Sequence, residues 1–472
     1  MLLKPLVKTI IESFRIHDRL DPRSAFFGGR TDACKMYYLC CKILGEKIEY
    51  LDFTSLYPEI NKYYRYPVGH AEIITQDFEP IEAYFGIAKV VILPPRGLYH
   101  PILPYKSQGK NKFPLCQTCA DLEYSGVCKH ADLEREMHGT WCTPEILKAK
   151  EKGYIISEII EVYHWSETAV FDPDSKEGGL FSEYVNFFLK FKQEASGWPD
   201  WCTDDEKKHQ YISDYLKNES IALDYDSVCK NPGLRSLSKL CLNSFWGKFG
   251  QRDNLMQTTL IYSDEEAKFF QFLTDESKKV KDFHIINEDT IELQWCHNEN
   301  FITDNANSNL YIACFTTCWA RLKLYNVLDS LGERVCYYDT DSVMFITKEG
   351  ELSPPTGDYL GDLTDELNGA HITELVCGGP KNYGYVTNEG KECVKVRGFT
   401  LNYTASQLIN FDSMKQLVTT SHEKPIPINN PCKISRDKRK RKIYNVEEKK
   451  DYRIVYTKRK VLDNFDTLPY GY

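Results

Sequence analysis

The feature that most constrains the fold is an apolar stretch, residues 336–346, interrupted by a short acidic tip. Apolar residues lead into Asp339-Thr340-Asp341 and lead out again, which is the pattern of two strands joined by a tight turn. Side chains two positions apart on a strand share a face, so the two carboxylates can converge and would repel each other without a cation. A hard ion such as Mg²⁺, which takes oxygen ligands, meets that need. An isolated Asp-x-Asp is more often a plain turn, so the metal interpretation requires support from the rest of the chain.

A third acid lies near the end of another predicted strand, residues 48–53, and a tyrosine follows that strand. The acid is Asp52, and a carboxylate at a strand end is well placed to hold a metal. Tyr57 is fixed by the following Pro58, so its ring can form the wall of a pocket.

A predicted helix that begins at Asn231-Pro232-Gly233 carries a row of polar residues. Asn is a good N-cap, and Pro is favoured at the first helical position. The row recurs every four residues and consists of Arg235, Lys239, Asn243 and Gly247. The apolar side of the helix is predicted at Leu234, Leu237, Cys241 and Phe245. Cations and an amide in line suit a triphosphate and a base. The alternative is a solvated helix face, which would usually include acids.

Two shorter motifs and several larger elements complete the pattern. In Gly28-Gly29-Arg30 the two glycines would let the backbone come close to a ligand, and the arginine could meet a phosphate. Taken alone, the motif is better explained as an ordinary loop. Lys381 and Tyr383, on a predicted strand, could contact a phosphate and a base together. We also predict an antiparallel pair of helices over 181–194 and 204–218, a long helix over 310–331 and strands over 453–461.

Four potential zinc ligands lie close together in the chain. Cys116-x2-Cys119 has the spacing of a zinc knuckle, whereas Cys128-x-His130 is tighter than the usual finger pattern. A structural zinc site and unmetallated thiols are therefore equal alternatives at this stage.

Length and composition indicate a multi-part intracellular protein. A chain of 472 residues exceeds the size at which a single core stops growing. No apolar run is long enough to span a membrane, and the start lacks the features of a signal peptide. The 17 cysteines are an odd number and do not resemble a secreted disulfide framework. We expect a protein of the nucleus or cytoplasm that is not secreted and has no membrane partner.

The charge is unevenly distributed. The chain has a net charge of −9, yet residues 433–460 contain 13 Lys and Arg against 4 Asp and Glu. A basic segment on an acidic body is compatible with contact to a phosphate backbone. A solvated tail or a nuclear-localisation run over 438–442 would show the same composition.

Three motifs, in order, resemble motifs A, B and C of family B DNA polymerases. They are Asp52-x2-Ser55-Leu56-Tyr57-Pro58, Lys239-x3-Asn243-Ser244-x2-Gly247 and Tyr337-x-Asp339-Thr340-Asp341-Ser342. Phe26-x-Gly28-Gly29 resembles the segment that joins exonuclease and polymerase domains, and Lys381-x-Tyr383 resembles a signature near the primer terminus. These features and two long insertions are typical of the protein-primed branch. Two further features resemble those of polymerases from Polinton/Maverick-type elements. They are the Cys116–His130 cluster and the closing segment Leu468-Pro469-Tyr470-Gly471-Tyr472.

The resemblance covers about residues 25–472 and implies an α+β fold with right-hand polymerase architecture. The palm would combine an antiparallel sheet with helices, beside helical fingers, two insertions and a small thumb. The implied division is an N-terminal remnant (1–24), palm (25–65), insertion with the cysteine cluster (66–138), palm (139–178), fingers (179–250), second insertion (251–305), palm (306–400), and thumb with basic segment (401–472).

The resemblance also implies template-directed DNA synthesis from dNTPs with two Mg²⁺ ions, Mn²⁺ being an alternative. Asp52 and Asp341 would be the metal ligands, with Asp339 as the third catalytic acid, and Tyr57 would exclude a ribose 2′-OH. The implied nucleotide-binding residues are Phe53, Ser55, Leu56, Tyr57, Arg235, Lys239, Asn243 and Gly247, with Lys230 a weaker candidate. The implied primer and template contacts are Gly28, Gly29, Arg30, Tyr337, Thr340, Lys381 and Tyr383. The implied partners are a DNA primer-template, dNTPs and a terminal priming protein, in the replication of a mobile or virus-like element.

Two departures from the family pattern bear on function. Trp246 stands where the family usually has Tyr, which could alter the fit of the base pair. Only about 24 residues precede the Gly-Gly segment, so we expect no proofreading. The alternatives are an inactive nucleic-acid-binding remnant and a template-free or RNA-templated nucleotidyltransferase. The acids, cationic helix and Tyr57 together favour template-directed synthesis.

Overall fold

The computed structural model describes residues 18–302, 308–420, 424–437 and 442–472. The strands are β1 Thr31–Ala33, β2 Tyr37–Leu39, β3 Lys47–Phe53, β4 Tyr66–Pro67, β5 Glu72–Ile74, β6 Gly86–Leu93, β7 Tyr105–Ser107, β8 Lys110–Lys112, β9 Met137–Cys142, β10 Ile155–His164, β11 Thr168–Ala169, β12 Phe171–Asp172, β13 Glu177–Gly178, β14 Gln257–Tyr262, β15 Lys278–Asn287, β16 Thr290–His297, β17 Val335–Asp339, β18 Ser342–Thr347, β19 Leu363–Asp365, β20 Ile372–Gly379, β21 Asn382–Thr387, β22 Glu392–Val396, β23 Ile426–Asp437, β24 Lys442–Tyr452, β25 Lys460–Val461 and β26 Thr467–Leu468. The α-helices are α1 Leu56–Tyr63, α2 Gln117–Asp121, α3 Asp132–Arg135, α4 Thr143–Glu151, α5 Ser182–Glu194, α6 Asp205–Glu219, α7 Pro232–Ser244, α8 Glu266–Thr274, α9 Leu310–Leu331, α10 Tyr403–Leu408 and α11 Phe411–Thr419. No helix in these described ranges is both long and apolar enough to cross a membrane.

A nine-stranded antiparallel sheet organises the fold, and the expected α+β class is confirmed. Its main path runs β1-β17-β18-β3-β20-β21-β22, with β19 added beside β3 and β2 beside β20. Side chains of β18 alternate between its faces: Val343 and Phe345 enter one apolar cluster, and Met344 and Ile346 enter another. The sheet is therefore buried on both faces, which explains why β18 reads as a continuous apolar run.

The helix α9 covers one face of this sheet and confirms the predicted helix over 310–331. Asn309 caps it by accepting hydrogen bonds from the backbone of Tyr311 and Ile312. Gly332, at φ +58°, ends it. Cys314 and Cys318 are buried within it.

A second antiparallel sheet, in the order β5-β10-β6-β9, packs beside the first. It combines strands from residues 72–93 with strands from residues 137–164, so it spans the boundary predicted at residue 138. Between β6 and β9 the chain forms the small β7–β8 hairpin and the helices α2 and α3, which contain the cysteine cluster.

The helices α5 and α6 exist as predicted and share one apolar cluster, in which Tyr215 of α6 joins Val185 and Leu189 of α5. α5 also packs closely along α7, whose Leu242 enters the same cluster. Periodicity identifies an apolar face but not all of its partners, so the sequence did not predict α7 as a member of this cluster. The residues that follow α7 form a separate three-stranded sheet, β14-β16-β15, that packs against α8.

The carboxy-terminal region consists of α10, α11 and the long β23–β24 hairpin, followed by a segment that returns to the central sheet. The strands predicted over 453–461 are wrong except at β25, because β24 already ends at Tyr452. In the returning segment, Met36 N donates to Phe465 O at 2.7 Å and Thr467 N donates to Cys34 O at 2.7 Å. The basic run 438–441 lies outside the described residues.

A buried ion pair joins α9 to α4 and to the Gly28 segment. The Arg321 guanidinium donates to both carboxylate oxygens of Glu145 at 2.8 Å, and its remaining nitrogen donates to Phe27 O and Gly28 O. Both charged side chains are almost completely buried. This contact fixes the path of the chain just before Gly29.

We expect Arg321→Met to destabilise the protein by about 3–5 kcal/mol, because it leaves the Glu145 carboxylate buried without its partner. Thermal unfolding monitored by circular dichroism measures the effect. The double variant Arg321→Met/Glu145→Met removes both charges and should recover most of the loss. Equal midpoints for the wild type and Arg321→Met would contradict the assignment.

Candidate active site

The acidic tip is a tight turn between β17 and β18, as predicted. Asp339 and Ser342 are register partners, and Thr340 takes the left-handed conformation at φ +61°. Asp341 N donates to Asp339 O at 2.6 Å, which closes the turn. The turn thus presents two carboxylates at the end of a rigid hairpin.

Strand pairing brings Asp52 to the same place. Ser342 of β18 pairs with Asp52 of β3, and Phe53 N donates to Asp341 O at 2.7 Å. The three carboxylates border a cavity of about 240 Å³. Its lining consists of Tyr50, Asp52, Asp339, Asp341, Ser342, Lys381, Tyr383 and Lys395.

The surroundings of Asp52 and Asp341 disfavour the negatively charged form of both carboxylates. Burial, followed by the charges of Asp341 and Glu366, raises the pKa of Asp52 to about 7, although Lys239 and Lys395 act to lower it. Burial also raises the pKa of Asp341, followed by the effect of Asp339. Carboxylates that line one cavity and are short of positive charge offer the oxygen ligands that Mg²⁺ prefers, so the residues present fit divalent cations.

Glu366 is a fourth acid that sequence reasoning missed. Its charge raises the pKa of both Asp52 and Asp341, and its backbone N–H donates to Tyr50 O on β3. It lies in the loop after β19, and no motif in the sequence marks it.

Tyr57, predicted as a pocket wall, lies in α1 close enough to the acids for the charges of Asp341 and Asp339, after burial, to raise its pKa, but it does not line the cavity itself. Its ring stacks on Trp246 with centroids 4.7 Å apart and planes at 29°. Burial raises the pKa of Tyr57 to about 12, so the phenol is neutral at physiological pH. Phe53 and Leu56 are buried in the core, so a nucleotide could meet them only through their backbone.

The polar row on α7 faces solvent across from the acids. Arg235, Lys239 and Asn243 are exposed, and the positive charge of Lys239 lowers the pKa of Asp52. Gly247 is exposed but lies just beyond the helix, in a 3₁₀ turn.

The predicted apolar side of α7 is only partly correct. Cys241 and Phe245 are half-buried, whereas Leu234 and Leu237 are exposed. The helix is buried instead through Ser238 and Leu242, because it packs along α5 at a slightly rotated face.

Lys192 is a third cation of this surface, and the sequence analysis missed it. Its ammonium group donates to the Ser55 hydroxyl at 3.1 Å. Burial, then the charges of Arg235 and Lys239, lowers the pKa of Lys192 to about 8. Lys192 lies on α5, and sequence periodicity does not show how α5 is aligned along α7. Its position suits the third cation better than Lys230, whose side chain is exposed before α7 begins.

Lys381 and Tyr383 reach the acids from β21. Lys381 lies just before the strand at φ +56°, and its ammonium group is 3.8 Å from Asp339 Oδ1. Tyr383 is buried, and its hydroxyl lies 3.2 Å from that of Tyr50. Lys395 lies over the Tyr383 ring at 5.6 Å.

Tyr337, predicted as a primer or template contact, is instead buried beneath the site. Its hydroxyl accepts a hydrogen bond from Lys381 N at 2.8 Å and lies 3.4 Å from Asp339 Oδ2. It therefore links the Lys381 turn to the acidic turn, and DNA could not reach it in this conformation.

The Gly-Gly-Arg segment lies against the acidic turn, but Arg30 does not face DNA. A Cβ at Gly29 would lie 2.7 Å from Thr340 Oγ1, so only glycine fits there. Thr340 N donates to Arg30 O at 2.7 Å. The Arg30 side chain is 1% exposed, donates to Pro101 O and lies 4.2 Å over the Phe113 ring. A side chain held in this way cannot meet a phosphate, whereas Gly28 is open to an approaching ligand.

The four potential zinc ligands converge. Cys116 Sγ, Cys119 Sγ and Cys128 Sγ lie 3.5, 3.2 and 3.6 Å from His130 Nδ1. All four ligand atoms lie within 4.8 Å of one another. Bonds to a tetrahedral zinc would hold its ligand atoms roughly 3.5 Å apart, so the residues fit this metal.

Comparisons with known proteins find similar chains among DNA polymerases. A family model described as DNA polymerase type B, organellar and viral, matches residues 20–201 and 206–331. A probable DNA polymerase of Neurospora intermedia is 22% identical over 437 residues, covering 89% of this chain and 36% of that protein. A DNA polymerase of Kluyveromyces lactis is 27% identical over 416 residues, covering 83% of this chain and 34% of that protein. The chain thus spans about a third of the length of these relatives.

Solved structures show the same fold. Phi29 DNA polymerase complexed with primer-template DNA and incoming nucleotides superposes with a TM-score of 0.54 at 14% identity, covering 95% of this chain and 66% of that chain. The complex of Phi29 DNA polymerase with single-stranded DNA gives 0.55 at 15% identity, with the same coverage. The expected right-hand architecture is thereby confirmed.

Proposed function

The chain belongs to the organellar and viral type B DNA polymerases, and on that premise we propose that it synthesises DNA from dNTPs under the direction of a template. The observation that carries the proposal is the cavity lined by Asp52, Asp339 and Asp341, where the positive charge of Lys239 on α7 acts on Asp52 and Lys192 on α5 lies near Lys239. Phosphoryl transfer needs this pairing of a metal-binding acid cluster with positive groups that bind a triphosphate.

Each side chain has a role that follows from its place. Lys192, Arg235 and Lys239 bind the triphosphate, and Asn243 and Gly247 border the nascent base pair. Tyr57, stacked on Trp246, closes the sugar side of the pocket and excludes a 2′-hydroxyl. Lys381 orients the primer end beside Asp339.

Asp52 and Asp341 would hold two Mg²⁺ ions, with Asp339 and Glu366 adding negative charge around them. When bound, the ions would neutralise the carboxylates and stabilise the charge that develops during nucleotidyl transfer. The chain's own residues supply the arrangement, because the β3–β18 pairing sets the spacing of the two acids.

The division of the chain follows from the same premise. We assign the palm to the central sheet and α9, the fingers to α5 and α7, and the thumb to α10, α11 and the β23–β24 hairpin. The biological setting we propose is replication of a mobile or virus-like DNA element with a priming protein, which the family's organellar and viral description supports.

Primer extension tests the proposed activity. The purified protein, given a primed single-stranded DNA template, dNTPs and Mg²⁺, should extend the primer with the nucleotides that the template specifies. Extension without a template, or only on an RNA template, would favour the alternative nucleotidyltransferase. DNA binding without extension would favour an inactive remnant.

The variant Lys192→Ala should raise the KM for dNTPs by about 10- to 150-fold, since a hydrogen bond to a charged group contributes about 1.5–3 kcal/mol. Steady-state extension at varied dNTP concentration measures this. Lys190→Ala is the matched control: it lies two residues away on the same helix, half exposed and 3.7 Å from Glu194. An unchanged KM in Lys192→Ala would exclude the proposed contact.

We also propose that Cys116, Cys119, Cys128 and His130 bind a structural zinc ion, because their ligand atoms all lie within 4.8 Å of one another and are the types that zinc prefers. The purified protein should contain zinc in a stoichiometric amount, and Cys116→Ser should lose it. Elemental analysis after dialysis measures this. Cys432→Ser, at an exposed cysteine on β23, is the control and should retain the metal. A wild-type protein without zinc would contradict the proposal.

A further inference from the structure

The end of the chain packs directly on the Cys/His cluster, defined as Cys116, Cys119, Cys128 and His130. Tyr470 is buried in the same apolar cluster as the three cysteines. Leu115 N donates to Tyr470 O at 2.7 Å, and the Tyr470 hydroxyl donates to Thr457 O. The neighbour of Tyr470, Gly471, comes so close that a Cβ there would lie 2.5 Å from the Cβ of Cys116.

From the cluster, the carboxy-terminal segment, residues 453–472, runs along β1. Thr467 Oγ1 donates to Ala33 O at 2.6 Å, and Lys35 forms an ion pair with Asp466 at 2.8 Å. The fully buried Arg459 donates to the hydroxyl and carbonyl oxygens of Thr467. These hydrogen bonds and this ion pair involve buried polar groups. Such groups would lose their partners if the segment left its place, and an unpaired buried polar group is costly.

Strand β1 in turn supports the acidic turn. Thr31 is the register partner of Asp339, and Cys34 N donates to Cys336 O at 2.8 Å. Lys458 and Tyr456 of the carboxy-terminal segment both reach the buried Asp32 carboxylate. The segment is thus the outer support of the strand next to β17.

The Cys/His cluster lies on short elements that side chains tie together, since the buried Lys112 donates to Ala120 O and the buried Arg135 donates to Pro94 O. Its helices α2 and α3 are five and four residues long, and helices this short are not stable by themselves. Four ligands bonded to one ion would fix their relative positions, since structural zinc sites contribute folding energy directly.

We propose that zinc bound to the Cys/His cluster acts as a clasp for the carboxy-terminal segment, and that this clasp fixes β1 and so positions Asp339. The inference rests on the zinc site proposed above. The metal acts here through residues 453–472, whose contacts reach the edge of the central sheet.

Hydrogen exchange with Mg²⁺ held constant tests the proposal directly. Removing zinc with a zinc-selective chelator should speed amide exchange by about 10-fold or more at residues 465–472 and 33–36. Exchange in β15 and β16, which form a separate sheet, is the internal control and should not change.

The variant Gly471→Ala disturbs the contact with Cys116 without replacing any of the four ligand residues. We expect it to retain zinc, to show the same faster exchange, and to lower kcat with an unchanged KM for dNTPs. Gly350→Ala is the matched control, since Gly350 has a similar φ of +84° but nothing within 4 Å of its ideal Cβ.

The outcomes separate the two proposals. A wild-type protein without zinc overturns both the zinc site and the clasp. A protein that binds zinc but shows unchanged exchange at 465–472 on zinc removal overturns the clasp alone. Faster exchange with unchanged kcat in Gly471→Ala overturns the positioning of Asp339.

Discussion

Replacing Asp341 by asparagine is expected to reduce primer extension by about 10³-fold or more. The substitution keeps the size of the side chain but removes a negative oxygen from the acid cluster, and metal-assisted charge stabilisation contributes several kcal/mol to such reactions, at 1.36 kcal/mol per tenfold. The turn should survive, because its closing hydrogen bond joins the backbones of Asp341 and Asp339. Gel-resolved extension of a labelled primer measures the loss.

Two controls make this result specific. Asp289→Asn alters an exposed turn acid in the separate three-stranded sheet and should leave extension unchanged. The Asp341→Asn protein should still bind primer-template DNA, because its cations remain. Extension at the wild-type rate would exclude Asp341 from the catalytic role.

The variant Tyr57→Ala is expected to raise ribonucleotide incorporation relative to deoxyribonucleotide incorporation by about 10- to 200-fold. This range is typical when a pocket distinguishes ligands that differ by one small group. The Tyr57 ring, stacked on Trp246, is the bulk that a 2′-hydroxyl would meet. Competitive extension with one ribonucleotide and its deoxy counterpart gives the ratio of kcat/KM values.

Tyr57→Phe is the matched control, because it keeps the ring and its stacking and loses only the hydroxyl. We expect this variant to discriminate as the wild type does. The gate role would be lost if Tyr57→Ala discriminated normally, or if Tyr57→Phe lost discrimination to the same extent.

The elements that carry the chemistry could be predicted because their signals are local. The apolar runs on both sides of Asp339 and Asp341 predicted the hairpin, and the Asn231-Pro232 cap predicted the start of α7. The long helix α9 ended at Gly332, as its pattern indicated. Each of these signals lies within one segment of chain, so no knowledge of distant contacts was required.

The contacts between segments could not be predicted in this way. Lys192 joins the cationic surface only because α5 packs along α7, and Glu366 joins the acids only because its loop follows β19. Arg30 is buried because Pro101 and Phe113, far along the chain, pack around it. Burial is decided by tertiary packing, so a motif that marks a position need not mark an exposed side chain.

The pairing of β3 has a consequence for how the chain is made. Its partners β18, β19 and β20 all follow residue 341, and the partners of β1 and β2 are β17 and β20. At about 5–20 residues per second, a ribosome needs roughly 15–60 s to add the residues between Asp52 and Ser342. During that interval the strand carrying Asp52 has an open edge, so the growing chain depends on its later half, or on a chaperone, to protect it.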